Sequence, residues 1–172
     1  MTILRQTERL DLREADVHDA PFLLDLMTQP DWLKFIGDRG IRSLDDAEKY
    51  ITDKLQASYR IFGFGLLIME RRDDKSPLGL CGLLKRPQLA YPDIGFALHS
   101  QFYSKGYALE ATEAIVEVAR EKCMGRLLAI TDPANVRSIR LLKKIGLREE
   151  GLILLDPEGT ELLLFGREIF PV

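Results

Sequence analysis

A short segment of the sequence has the residue types of an anion site built from backbone groups. The segment 104–108, Ser-Lys-Gly-Tyr-Ala, follows an apolar run at 93–98 and opens into a helical pattern. Because glycine has no Cβ, a phosphate can approach the backbone closely at Gly106. The first N–H groups of a helix have no acceptor inside it, and the helix dipole favours negative charge beside them. The segment therefore predicts a phosphate or pyrophosphate site.

The same segment also fits a simpler interpretation. One glycine before a helix suits an ordinary turn. The segment has neither the GxxxxGK[ST] pattern of a P-loop nor the GxGxxG pattern of a dinucleotide-binding fold. Spacing alone leaves the anion site and the plain turn both open.

A second set of polar residues opens the helical pattern that follows position 133. Asn135 and Ser138 are three residues apart and share a helix face, which can meet a ligand at the open end of an α/β sheet. Alternatively, Asn135 only caps the helix and Ser138 lies in its first turn. A basic helix is usually a solvated face, but it can also attract a phosphorylated cofactor. The cationic residues of this helix are Arg137, Arg140, Lys143 and Lys144.

Asp93 is the first candidate for a general base, because it begins the strand that leads to the glycine turn. A positioned carboxylate can take a proton from a reacting group. The alternative is a solvated strand end or a cap. Glu70 and His99 are further candidates, and a lone histidine after a strand is more often structural.

The composition excludes several classes of protein. The chain has 172 residues, a size that suits one domain over 1–172. Its net charge of −3 argues against a general nucleic-acid binder. The longest apolar run, 62–69, is too short to span a bilayer, so no membrane association is expected. No signal peptide is recognised, which makes the cytoplasm the expected location. Two cysteines and two histidines stand apart in the sequence, so no metal site is expected.

Hydrophobic periodicity and turn signals predict an α/β domain with a mixed sheet. The predicted strands are 7–13, 61–70, 78–84, 93–98, 126–131, 147–155 and 161–170. The predicted helices are 16–29, one beginning at Ser43, 105–122 and 133–146, with an irregular stretch at 32–42. The unit 93–131 is strand, helix, strand, which predicts a right-handed parallel crossover.

Several of these segments together resemble the GNAT acetyltransferases, most of all the RimJ/RimL type that acetylates ribosomal proteins. The resemblance covers nearly the whole chain. It implies one GNAT-like domain with a twisted, mostly antiparallel central sheet, a splayed pair of parallel strands and flanking helices. The segments that carry it are 7–13 (TERLDLR), 93–98 (DIGFAL), 103–111 (YSKGYALEA), 135–138 (NVRS) and 144–147 (KIGL).

The resemblance implies acetyl-coenzyme A as co-substrate. The family's pyrophosphate loop, Gln/Arg-x-x-Gly-x-Gly/Ala, falls on 103–108, with Tyr103 in place of Gln/Arg and Ser104 where many members have glycine. A splayed strand would pair with the pantetheine arm, and one of its N–H groups would polarise the thioester carbonyl. The implied cofactor-binding residues are Phe96, Ala97, Leu98, Tyr103, Ser104, Lys105, Gly106, Tyr107, Ala108 and Asn135.

The resemblance also implies a reaction, the direct transfer of an acetyl group to a primary amine. The amine would belong to a protein N-terminus or a small molecule, and the enzyme would be a monomer or homodimer. Many members have a tyrosine acid where this chain has Leu142, so Ser138 is the implied thiolate stabiliser or proton donor, with Asp93 a candidate base. The alternative is a GNAT-fold module that binds or senses acyl-coenzyme A without turnover.

Overall fold

The computed structural model of the chain describes residues 2–170. Its strands are β1 Ile3–Gln6, β2 Leu10–Arg13, β3 Leu66–Arg71, β4 Pro77–Leu84, β5 Asp93–Leu98, β6 Arg126–Thr131, β7 Arg148–Ile153 and β8 Leu162–Glu168. Its α-helices are α1 Ala20–Thr28, α2 Pro30–Phe35, α3 Leu44–Tyr50, α4 Ala57–Phe62, α5 Tyr107–Glu121 and α6 Val136–Lys144. A π-helical stretch, Ile51–Gln56, joins α3 to α4, and 3-10 turns occur at Val17–Asp19 and Ser100–Phe102.

The eight strands of the described residues form one sheet in the order β1-β2-β3-β4-β5-β6-β8-β7. Neighbouring strands are antiparallel, except that β5 and β6 are parallel. The parallel pair is in register only at Asp93 and Leu128, so β5 and β6 separate toward their C-terminal ends. The predicted α/β fold, with a mostly antiparallel sheet and a splayed parallel pair, is confirmed.

The sheet carries a hydrophobic core on each face. On one face, Ala111 and Ile115 of α5 pack with Leu142 of α6. On the other face, Leu23 of α1 packs with Ile51 and further residues of the helical segment 20–62. The helix that follows the glycine turn and the first group of helices therefore lie on opposite sides of the sheet.

Two predicted boundaries are wrong near the N-terminal helices. The stretch 32–42 is not wholly irregular, because α2 begins at Pro30. Proline is favoured at the first position of a helix, and Gln29 before it is extended (ψ 146°). The strand predicted at 61–70 begins only at Leu66, because α4 extends to Phe62. Gly63 then ends that helix in a left-handed conformation (φ +70°).

Two further differences concern short elements. The strand predicted at 7–13 is shorter, and a separate edge strand, β1, precedes it. The side chains of Ile3 and Leu4 in that strand are exposed, so it lacks the pattern of a half-buried strand. The last helix begins at Val136 rather than Pro133, because Asp132 closes a turn by accepting a hydrogen bond from the N–H of Ala134 (2.7 Å).

Candidate functional site

Among residues 2–170, the edge of β5 that faces β6 has no strand partner beyond the single paired position, Asp93 with Leu128. The N–H of His99 donates to the carbonyl of Leu78 on the β4 side (2.8 Å). Successive residues of a strand direct their backbone groups to alternate sides, so the N–H groups of Phe96 and Leu98 point into the gap. The backbone of Ala97 points to β4. Of the three β5 residues in the predicted cofactor set, Phe96 and Leu98 can therefore offer backbone donors to a ligand in the gap.

The predicted pyrophosphate loop lies where the gap opens, between β5 and α5. Ser104 and Gly106 both have positive φ angles, +61° and +84°, and consecutive residues in turn conformations can form an anion-binding concavity. The first backbone hydrogen bond of α5 joins the N–H of Glu110 to the carbonyl of Gly106 (3.1 Å). The helix N–H groups before Glu110 therefore have no acceptor inside the helix, as an anion site requires.

The structure adds two reasons for glycine at position 106 to the close approach of a phosphate that the sequence suggested. A Cβ built on Gly106 would lie 3.2 Å from Nη2 of Arg9. The missing side chain thus makes room for a guanidinium of the protein. The positive φ angle is the second reason, because a residue with a Cβ rarely adopts it.

Arg9 is a residue of this site that sequence reasoning missed. From the turn between β1 and β2, its Nη1 donates to the carbonyl of Lys105 (3.0 Å), and its Nε donates to Oε2 of Glu110 (2.7 Å). Its guanidinium carbon also lies 4.4 Å from the ring centroid of Tyr107. Arg9 therefore fastens the loop to the sheet. Its segment belongs to the resemblance, but its partners lie about a hundred residues away along the chain.

Glu110 is the acidic partner of Arg9 in this contact. Its carboxylate accepts hydrogen bonds from the hydroxyl of Thr7 (2.5 Å) and the backbone N–H of Arg9 (2.8 Å), besides the ion pair with the Arg9 side chain. Burial acts to raise the pKa of Glu110, but the hydrogen bonds from Thr7 and Arg9 outweigh it and hold that pKa below its ordinary value. The carboxylate in the first turn of α5 is thus paired with Arg9.

Tyr107 and Ala108, the first two residues of α5, have buried and half-buried side chains, respectively. The Tyr107 ring is buried in the core, with an edge-to-face contact to Phe102 at 6.4 Å between centroids. Ala108 is half-buried, and its carbonyl accepts a hydrogen bond from the hydroxyl of Thr112 (2.8 Å). Both residues therefore anchor the start of α5 while their N–H groups remain available.

Tyr103, the first residue of the loop, contacts two other elements. Its hydroxyl donates to Oδ2 of Asp31 on α2 (3.1 Å), and the guanidinium carbon of Arg137 on α6 lies 4.1 Å from its ring centroid. Arg137 is also ion-paired with Asp31. Burial raises the pKa of Tyr103, Asp31 acts in the same direction, and Arg137 acts against it.

Asn135 and Ser138 lie side by side at the start of α6. Oδ1 of Asn135 accepts a hydrogen bond from the N–H of Ser138 (3.1 Å), so Asn135 does cap the helix. Its amide NH₂ and the half-buried hydroxyl of Ser138 form no hydrogen bond within residues 2–170. These two donors therefore remain available beside the gap. The position of the family's tyrosine acid is the fully buried Leu142.

Asp93 lies at the narrow end of the gap and is almost fully buried. Nε of Arg86 donates to both of its carboxylate oxygens (3.0 and 3.1 Å). Burial raises the pKa of Asp93, whereas the charge of Arg86 and its hydrogen bond oppose the rise. The carboxyl is therefore basic for an aspartate, but its oxygens are shared with a guanidinium.

The other candidate bases have structural partners. Glu70 accepts from Nε of Arg13 (2.6 Å), and Arg13 also pairs with Asp19 (2.7 Å), in a buried network that joins β2, β3 and the first helical turn. Nε2 of His99 lies 2.9 Å from Oδ2 of Asp25 on α1. Both residues connect elements of the scaffold.

Three further observations concern metal-binding groups, membrane-spanning helices and a cavity outside the site. Residues 2–170 contain no group of three or more His, Cys, Asp or Glu side chains that could hold a metal. Among these residues, no helix is long and apolar enough to cross a membrane. A surface cavity of about 400 Å³ lies near the N-terminal end of β5, away from the loop. It is lined by Phe62, Phe64, Pro92, Lys122 and Met124.

Comparisons with known proteins agree with this geometry. The family model described as "Acetyltransferase (GNAT) domain" matches residues 9–148. The chain is 29% identical over 157 residues to the "Uncharacterized N-acetyltransferase YnaD" of Bacillus subtilis (strain 168), covering 90% of this chain and 89% of that protein.

Solved structures give the same fold. An acetyltransferase from Agrobacterium tumefaciens str. C58 superposes with a TM-score of 0.81 at 27% identity, covering 98% of this chain and 95% of that one. RimL, a ribosomal L7/L12 alpha-N-protein acetyltransferase solved in complex with coenzyme A, has a TM-score of 0.78 at 17% identity and covers 98% of each chain. The match at 9–148 includes β5, the loop and the start of α6, and it shows that this chain belongs to the GNAT acetyltransferase family.

Proposed function

We propose that this chain transfers an acetyl group from acetyl-coenzyme A directly to a primary amine, with both substrates bound at once. The observation that carries the proposal is the unpaired edge of β5, which leads straight into the loop, where the N–H groups of residues 104–108 have no acceptor among the described residues. A pantetheine arm needs an extended partner, and a pyrophosphate needs a cluster of N–H donors. We infer that the whole range 1–172 is one such domain.

The residues present fit coenzyme A. The N–H groups of the loop and of the first turn of α5 would hold the pyrophosphate. The N–H groups of Phe96 and Leu98 would hold the pantetheine arm, with the free amide of Asn135 on the opposite wall. Ala97 would contribute only a small side chain to the strand. The loop itself would donate through its backbone N–H groups.

Acetyl-coenzyme A would supply an activated acetyl group as a thioester. A β5 N–H group at its carbonyl oxygen would stabilise the negative charge that develops there. The hydroxyl of Ser138 has no protein partner within the described range and would donate to the departing thiolate. Asp93 would accept the proton of the amine. Its buried position raises its pKa, which suits a base, while the charge of Arg86 opposes that rise.

The acceptor would enter from the face that carries α1, α2 and α3, near the segment 32–42 and the β7–β8 hairpin. Two classes of primary amine fit, a protein N-terminus and a small molecule. The likeness to RimL supports the RimJ/RimL branch and a protein N-terminus. The Agrobacterium and Bacillus relatives carry no acceptor in their names.

Thiol release tests the proposal. Purified protein is mixed with acetyl-coenzyme A and a panel of N-terminal peptides and small amines, and free thiol is measured over time. We expect release that depends on at least one amine, with equal formation of acetylated product. Tight binding of coenzyme A by calorimetry without release for any amine would instead favour a binding or sensing module. No binding of coenzyme A at all would contradict both functions.

A further inference from the structure

Three side chains from three separate elements meet beside the predicted cofactor loop. Asp31 in the first turn of α2 accepts from the hydroxyl of Tyr103 (3.1 Å) and is ion-paired with Arg137 of α6. The guanidinium of Arg137 lies over the Tyr103 ring, with 4.1 Å between its carbon and the centroid. We name these three residues the Asp31–Tyr103–Arg137 bridge.

The bridge crosses the wide end of the gap between β5 and β6. Tyr103 follows β5 and Arg137 follows β6, while the two strands are paired only at their narrow end. A ligand that lies along the free edge of β5 and ends at the loop must therefore pass this bridge. Its position makes the bridge part of the cofactor path.

The charges of the bridge would allow Arg137 to exchange Asp31 for a phosphate as its partner. The side chains of Arg137 and Asp31 are 57% and 36% exposed, and an ion pair that remains exposed to water contributes little stability. Only Nη2 of Arg137 donates to Asp31, whereas a phosphate can accept from two nitrogens of an arginine in a bidentate, charge-assisted contact. Stacking on Tyr103 limits the motion of the guanidinium, so it stays beside the loop when its partner changes.

We propose that Arg137 is a pyrophosphate-binding residue of this site, and that Asp31 holds it over the gap until the cofactor arrives. Tyr103 occupies the first position of the loop and presents an uncharged ring there. The cation stacked on that ring from α6 supplies the charge that this position lacks. The proposal rests on the proposed use of coenzyme A.

Calorimetry with coenzyme A tests the assignment in four variants. Arg137→Gln removes the proposed contact, and Arg140→Gln is the matched control, because Arg140 is exposed on the same helix. Asp31→Asn removes the competing charge and is made alone and together with Arg137→Gln. We expect Arg137→Gln to raise the Kd of coenzyme A about tenfold or more, the size of one charge-assisted hydrogen bond. Arg140→Gln should change the Kd less than about twofold.

The Asp31 variants test the exchange itself. Asp31→Asn should lower the Kd severalfold in the native background and have no effect when Arg137 is already replaced. Dephospho-coenzyme A, which keeps the pyrophosphate, should show the same loss in Arg137→Gln. A loss that disappears with dephospho-coenzyme A would overturn the pyrophosphate assignment.

Two other outcomes separate this inference from the proposed function. If native protein binds coenzyme A and Arg137→Gln binds it as Arg140→Gln does, the role of Arg137 is wrong and the proposed function stands. If native protein binds no coenzyme A, both are wrong. A loss of affinity in Asp31→Asn that persists in the double variant would show that Asp31 supports the site instead of competing for Arg137.

Discussion

Replacing Gly106 by alanine tests the structure of the loop and its role together. Gly106 has a φ of +84°, and a residue with a Cβ pays about 1–2 kcal/mol for a left-handed conformation. The new methyl group would also lie 3.2 Å from Nη2 of Arg9 and would push against the guanidinium that holds Lys105. We expect the free energy of unfolding to fall by about 1–2 kcal/mol, which lowers Tm by about 2–8 °C in a chain of this size.

The same change should weaken cofactor binding. If the displacement of Arg9 shifts the loop so that one of its N–H groups loses its charge-assisted hydrogen bond to the pyrophosphate, of about 1.5–3 kcal/mol, the Kd of coenzyme A rises roughly tenfold to a hundredfold. Gly63→Ala is the matched control. Gly63 has a φ of +70°, and a Cβ there would meet nothing within 4 Å. The Gly63→Ala variant therefore has the conformational cost of a left-handed alanine but leaves the loop undisturbed.

Urea unfolding and calorimetry are measured on both variants. We expect both variants to lose stability, with a loss in Gly106→Ala at least as large as that in Gly63→Ala, and a raised Kd only for Gly106→Ala. If both variants lose stability equally and both bind coenzyme A as the native protein does, Gly106 serves the turn alone and the reasoning about the loop is refuted. A Gly106→Ala variant as stable as native protein would contradict the left-handed conformation.

Other variants test other parts of the site. Glu110→Gln should destabilise the protein by about 1–3 kcal/mol at pH 7, because it removes the anion that Thr7 and Arg9 bind. The folded pKa of Glu110 is lowered, so this stabilisation is fully present above the ordinary glutamate pKa of about 4.3. This stabilisation is lost as pH falls through the lowered pKa of Glu110. Urea unfolding should therefore show the free energies of unfolding of native protein and Glu110→Gln converging in that pH range. A difference between them that stays constant with pH would contradict the ion pair. Ser138→Ala should lower kcat about tenfold or more with the Kd of coenzyme A unchanged, and an unchanged kcat would end its assignment as proton donor. Asp93→Asn should lower kcat about a hundredfold and remove the acidic limb of the kcat/KM profile; lower stability with an unchanged profile would show a purely structural residue.

Elements with a strong local pattern were predicted accurately. The strands at 93–98 and 126–131 coincide with β5 and β6, and the helix predicted at 105–122 is α5, Tyr107–Glu121. Buried parallel strands are nearly continuous apolar runs, and a helix on a sheet repeats its apolar residues every three or four positions. Elements without such a pattern were missed, such as the exposed edge strand β1 and the short helix α2 behind Pro30.

The residues of the candidate site also fall into two groups, those that a local motif indicated and those that only the structure revealed. The sequence indicated the loop, Asn135, Ser138 and Asp93, because each residue belongs to a local motif. It indicated neither Arg9 nor the ion pair that Arg86 forms with Asp93. An arginine in a charged surface segment looks the same whether or not it has a partner.

By itself, the sequence determined the α/β class, the strand–turn–helix that carries the loop and the absence of a tyrosine at position 142. These properties follow from residue types and periodicity over short stretches of chain. Only the tertiary structure decided what surrounds the loop. Arg9 meets Lys105 across 96 residues of sequence, and Arg137 meets Asp31 across 106. Such pairs form because the order of strands in the sheet brings distant turns together, and no local pattern records that order.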